Sequence, residues 1–179
     1  LVVVDIDTAT GLPVGEVQVF DGFDDPQRPI PPEIQALTGI TDDMVAGQRL
    51  DLLAINQIMK GVDWVVAHNA AFDSQWFGRD PLPPITKPWI CSMDDIHWPV
   101  ERQLRAAPSV RDLALAYGVP VWAAHRALTD CIYLAQVFER CPELEPMLQA
   151  GLEPRRLYRA RLSYDERHKA REAGFRWNE

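Results

Sequence analysis

The sequence predicts an α/β fold, and three observations carry that reading. Short apolar, β-branched runs recur along the chain, amphipathic helical patterns stand between them, and acidic residues fall where one kind of segment gives way to the other. Strands that alternate with helices place such junctions along one edge of a sheet.

Taken in order, Leu1-Val-Val-Val-Asp-Ile-Asp7 is an apolar run bounded by Thr8-Ala-Thr-Gly11. It reads as a strand buried on both faces, the expected centre of the sheet. Side chains alternate along a strand, so Asp5 and Asp7 are expected on one face near its C-terminal end. Two carboxylates one pleat apart repel each other, and a divalent cation with oxygen ligands is the natural compensation. Gly15 to Phe20 alternates as a second strand. Pro31 to Gly39 then opens with proline and closes on glycine, as a short helix does. Thr41 is placed to cap a further turn. Leu50 to Lys60 is an amphipathic helix stopped by Gly61, and Asp63 to Ala67 a buried strand.

His68-Asn-Ala-Ala-Phe-Asp73 follows without a break. Asn69 is expected to cap a helix that carries Asp73 in its first turn, where the positive end of the helix dipole favours a carboxylate. A proline-rich linker, Pro81 to Pro84, leads to the strand Trp89 to Met93. Ser109 to Tyr117 is a helix closed by Gly118, and the loop after it delivers His125. His125 and Asp130 are five residues apart, and five helical steps turn roughly 140°. They cannot share a helix face, so His125 is expected in the loop and Asp130 on the helix that buries Leu128, Cys131, Ile132, Ala135 and Phe138. Both can then lean over one site. Glu143 to Ala150 forms a further helix, ended by Gly151.

Composition bounds the rest. With 179 residues, 47% hydrophobic and 25% charged, the chain suits one ordinary domain with a small appendage, here 1–150 and 151–179. No apolar run approaches the ~20 residues of a spanning helix, so no membrane partner is expected. Cys91, Cys131 and Cys141 are odd in number and lack zinc-ligand spacing, which fits a reducing, cytoplasmic setting. The net charge of -8 is uneven: residues 1–150 hold 10 Lys/Arg against 21 Asp/Glu, and residues 151–179 hold 8 against 5. Bulk acidity argues against broad binding to phosphate backbones.

Asp5-Ile-Asp7, His68-Asn-Ala-Ala-Phe-Asp73 and His125-Arg-Ala-Leu-Thr-Asp130, in this order, resemble the three motifs of the DEDDh (DnaQ-like) 3′-to-5′ exonucleases. Ile30 to Thr41 and Trp89 to Met93 resemble the segments that join those motifs. The resemblance covers about residues 1–140 and implies a ribonuclease H-like mixed sheet flanked by helices. It implies that Asp5, Asp7, Asp73 and Asp130 hold two Mg²⁺ or Mn²⁺ ions, hard cations suited to oxygen ligands. His125 is implied as the general base, its imidazole titrating near neutrality. Thr8 and Phe72 are candidates for contacts to the 3′ nucleotide. The implied substrates are 3′ ends of single-stranded or frayed nucleic acid, DNA favoured over RNA, with a polymerase as a further partner. The family usually has glutamate where Asp7 stands, and it runs two strands where only Gly15 to Phe20 is evident. Residues absent between Asp7 and Pro31 would account for the second difference. Both differences leave open a non-catalytic module of the same fold.

The tail reads separately. Arg155 to Leu162 alternates charged and apolar residues as an exposed strand would, and Ser163 begins a helix reaching Gly174. Arginines interleaved with Tyr158, Phe175 and Trp177 are suited to single-stranded nucleic acid; a basic strand and helix that merely cover the domain fit the same pattern.

Overall fold

The computed structural model describes residues 1–105, 107–123, 126–154 and 159–173, and of Glu16 the backbone alone. The described elements run β1 (Val2–Ile6), β2 (Pro13–Val19), α1 (Pro32–Thr38), α2 (Asp42–Val45), α3 (Leu52–Gly61), β3 (Val65–Ala67), α4 (Ala70–Ser74) and β4 (Trp89–Cys91). They continue through α5 (Val110–Ala116), α6 (Ala127–Glu139), α7 (Leu144–Leu152) and α8 (Arg167–Glu172).

Pairing is mixed. β1 and β2 are antiparallel, with Val2 opposite Val19 and Ile6 opposite Pro13, whereas β3 and β4 are parallel, Val65 to Ala67 beside Trp89 to Cys91. The register of the first pair jumps between Val3–Gln18 and Asp5–Val14, so Gly15, Glu16 and Val17 oppose Val4 alone. Gly15 has φ +74°, a left-handed backbone that glycine adopts without penalty, and it absorbs this bulge. Among the described residues the two ladders stay separate, and β1 and β3 border a common cavity of about 360 Å³. The expectation of a central strand buried on both faces is therefore corrected. β1 is half-buried with Asp5 exposed, because one face packs on α6 and only one edge pairs.

The first hairpin closes tightly after Asp7. The Asp7 N–H donates to the Leu12 carbonyl at 3.0 Å, and its own carbonyl accepts from Gly11 N–H at 2.7 Å. The chain reverses in one continuous turn. Gly11, with φ +69°, is buried there, and a side chain on it would run into Glu145 of α7. The hairpin tip is docked.

The core lies between α5, α6, α7 and β4, where Ile90, Leu113, Val137 and Leu144 are fully buried. Side chains of this size stabilise the fold by about 1.5–3 kcal/mol each when buried. Local signals explain the helices. Pro32 starts α1 and Gly39, at φ +68°, ends it; Asp51 accepts from Ala54 N–H to cap α3; Ser109 and Asp112 form a reciprocal capping box on α5. Thr41 stands at the start of α2 without a side-chain cap bond. α7 does not stop at Gly151 but runs to Leu152, since a Cβ there would lie 3.0 Å from Ile90 Cγ2 and glycine lets the helix approach β4. Residues 159–162 form no strand, and 155–158 lie outside the described residues, as do Tyr158, Phe175 and Trp177.

Candidate active site

Asp5 and Asp7 part company at the end of β1. The strand stops at Ile6, so Asp7 belongs to the turn and the alternation that would align the two carboxylates is broken. Asp7 Oδ1 accepts from Ala9 N–H at 2.9 Å and Oδ2 from the Thr10 hydroxyl at 2.9 Å. Those bonds hold its carboxyl below the usual carboxylate range, the Ala9 amide contributing most. Asp5 and Thr8, by contrast, border the cavity between the sheets.

The β3–α4 junction builds a second acidic corner. Asn69 occupies the cap position of α4 but adopts the left-handed conformation, φ +69°, and makes no side-chain cap bond, contrary to expectation. It serves as the sharp bend that turns strand into helix, a conformation asparagine tolerates. His68 Nδ1 lies 3.0 Å from Ser92 Oγ, which ties the bend to the end of β4, and burial holds its imidazole below the ordinary range. Asp73 sits in the first turn of α4 as expected, half-buried. Burial pushes its carboxyl up, opposed only by its own backbone amide.

Helical spacing sorts the residues around Asp73. Asp73 and Phe77 face inward, and the Phe77 ring tilts against Trp89 with centroids 5.8 Å apart. Phe72 and Trp76 face out, 55% and 50% exposed, and meet edge to face at 6.3 Å. The Arg79 guanidinium lies 5.8 Å from the Trp76 ring centroid. Sequence reasoning names Phe72 but misses Trp76 and Arg79, which lie in the turns after α4.

Asp130 projects from the first turn of α6, partly buried, with its N–H donating to the Arg126 carbonyl at 2.9 Å. His125 lies outside the described residues, but both shores of its loop are held. The Tyr133 hydroxyl accepts from Trp122 and Ala123 N–H, each at 2.8 Å, and Arg126 donates to the Thr38 carbonyl at 3.4 Å. Cys131, a neighbour that sequence reasoning did not single out, reports how the corners converge. Burial pushes its thiol up, the positive amino terminus opposes that, and the Asp130 and Asp73 carboxylates add to the rise from different helices. Cys131 also borders the cavity that Asp5 and Thr8 line.

Asp73 and Asp130 both act electrostatically on Cys131, which borders the cavity that Asp5 lines, while Asp7 is engaged in its own turn. Among the described residues no three His, Cys, Asp or Glu side chains stand close enough to hold one metal ion. Asp7 is bonded within its own turn, through the Ala9 amide and the Thr10 hydroxyl. In kind the four carboxylates fit hard divalent cations.

Comparison with known proteins bears on the same residues. A family profile described as "Exonuclease" matches residues 2–138, and one described as a domain of unknown function matches 156–179. Exodeoxyribonuclease 10 of Escherichia coli (strain K12) is 36% identical over 116 residues, which are 62% of this chain and 48% of that protein. DNA polymerase III subunit epsilon of Treponema pallidum is 28% identical over 120 residues, 63% of this chain and 55% of that one. The chain spans about half the length of these relatives. A solved structure of exonuclease X in complex with 5′ overhanging duplex DNA superposes with a TM-score of 0.51 at 27% identity, covering 83% of this chain and 87% of its own. With the profile running from β1 through α6 and the fold shared with that exonuclease, the chain belongs to the DnaQ-like exonuclease family.

Proposed function

We propose that the chain is a divalent-metal-dependent 3′-to-5′ exonuclease, acting on single-stranded or frayed ends with DNA favoured and releasing nucleoside monophosphates. The observation that carries the reading is the match of the exonuclease profile across residues 2–138, with Asp5 beside the cavity and Asp73 and Asp130 in the first turns of α4 and α6. Asp5, Asp73 and Asp130 would hold two Mg²⁺ or Mn²⁺ ions, with Asp7 joining once released from its turn. Bound cations of this kind stabilise charge on the attacking and leaving oxygens of a phosphodiester. His125 takes the proton of the attacking water as the new P–O bond forms and the bond to the 3′ oxygen breaks; that oxygen leaves protonated. Thr8 and Phe72 contact the terminal nucleotide, both being exposed beside these acids. A polymerase partner is supported by the likeness to polymerase III epsilon.

The test is a 5′-labelled single strand, DNA or RNA, incubated with Mg²⁺ or Mn²⁺. Shortening from the 3′ end that chelator stops and His125→Ala abolishes is the expected result. Intact substrate under every metal condition overturns it. That outcome would favour the second reading, a non-catalytic module of the same fold, for which the engagement of Asp7 by Ala9 and Thr10 is the supporting observation. RNA shortened in preference to DNA would reassign the substrate to an exoribonuclease.

A further inference from the structure

We propose that Trp76 and Arg79 form a nucleotide subsite one helical turn beyond Asp73, in which an unpaired base stacks on the indole and its phosphate meets the guanidinium. The subsite rests on the nucleic-acid reading above and extends it past the terminal nucleotide, which Phe72 and Thr8 serve.

Isolated exposed aromatics are ordinary. Here two rings, half exposed and 6.3 Å apart, share one face with a guanidinium 5.8 Å from the indole centroid. Among the described residues no carboxylate forms an ion pair with Arg79. Both the Trp76 ring and Arg79 are exposed, so an incoming nucleotide can reach ring and guanidinium together. Bases stack on aromatic side chains, and arginine adds both a phosphate contact and a cation–π term.

The platform is also held firm. Phe77 anchors the segment inward against Trp89, the Gly78 N–H donates to the Leu82 carbonyl at 3.1 Å, and the Leu82 N–H donates to the Arg79 carbonyl at 2.7 Å. A ring fixed on both sides of its chain loses little freedom when a base arrives, which favours binding. Trp76 follows Asp73 by three residues, in the turn that succeeds α4, and its N–H donates to the Asp73 carbonyl at 3.1 Å. A strand whose 3′ end lies at Asp73 can lay its next base on the exposed Trp76 ring. Stacking does not read base identity, so the subsite grips any unpaired nucleotide and excludes paired ones.

The experiment measures binding apart from hydrolysis. Fluorescence anisotropy of a labelled oligothymidylate is followed in chelator, over a salt series, for the parent protein, Trp76→Leu, Trp76→Phe and Arg79→Gln, with melting curves alongside. Trp76→Leu is expected to weaken binding roughly tenfold, within the range of one lost stacked base. Trp76→Phe keeps a ring and is expected to bind as the parent does, which separates stacking from folding. Arg79→Gln is expected to flatten the slope of log K against log salt by about 0.7, one single-strand phosphate contact. Parent-like affinity in both Trp76→Leu and Arg79→Gln, equal loss in Trp76→Phe and Trp76→Leu, or no binding by the parent, would overturn the subsite. If the variants lose binding while the parent never shortens the strand, the subsite stands and the exonuclease reading fails.

Discussion

The β1–β2 turn and the β3–α4 junction each present an aspartate at the end of a strand, and they treat it in opposite ways. Asp7 is satisfied locally, its two oxygens bonded to the Ala9 amide and the Thr10 hydroxyl. Asp73 is half-buried and answered only by its own backbone amide, so its charge is held at a cost to the fold. A carboxylate whose charge is already satisfied by local donors gains little from a cation. One that is desolvated beside Asp130 and Cys131 gains most from a cation or a substrate, and perturbed groups of this sort mark functional sites.

That contrast is broken most directly by removing each charge. Asp73→Asn is expected to lower mononucleotide release about 10³-fold, the scale of losing a preorganised electrostatic contact, while the melting temperature holds or rises. Asp7→Asn is expected to cost activity much less and to lower the melting temperature instead. Equal losses of activity would show that Asp7 leaves its turn during the reaction. The second largest effect concerns the docking of the turn. Gly11 is buried at φ +69° against Glu145, so Gly11→Ala combines backbone strain with overpacking and is expected to cost about 3 kcal/mol in urea unfolding. Gly39→Ala, at φ +68° with open space around it, serves as the control and should cost about 1–2 kcal/mol.

Why sequence reading reached one corner better than the other follows from the range of the forces involved. Helices α1, α3, α5 and α6 were legible because proline, capping side chains and apolar spacing act within a few residues. Asp73 was legible for the same reason, its first-turn position following from local sequence. Asn69 makes no cap bond because it stands at a left-handed bend, φ +69°, between β3 and α4. β1 looks doubly buried in sequence, yet its exposure depends on what lies across the cavity, and no local pattern records that. The end of α7 was missed because Gly151 answers to Ile90, sixty-one positions away in the chain, not to helix termination. The site's residue types and order were readable, and their mutual distances were not.

Acid titration sharpens the comparison through opposite signs. The raised carboxyl of Asp73 binds its proton more tightly folded than unfolded, so its contribution is fully present below the unfolded value of 3.8 and is lost as pH rises through the folded value. The depressed carboxyl of Asp7 contributes above 3.8 and is lost as pH falls through its folded value. Stability measured against pH for Asp73→Asn and Asp7→Asn, each subtracted from the parent, should therefore slope in opposite directions on the two sides of that value. Parallel difference curves would remove the distinction between the corners.

The smallest expected effect probes whether Asp7 is withheld from the site by its own turn. Thr10→Val deletes one donor, the hydroxyl 2.9 Å from Oδ2, and leaves the stronger Ala9 contact in place. The Asp7 carboxyl should then titrate closer to the ordinary range, a shift that side-chain NMR resolves. If Asp7 joins the other acids once released, the nuclease rate rises severalfold, which is what one hydrogen bond can hold back. Thr10→Ser, which keeps the hydroxyl, should leave both quantities at the parent level. A carboxyl that shifts with no gain in rate would place Asp7 in the turn for good, leaving Asp5, Asp73 and Asp130 to carry the acidic chemistry alone.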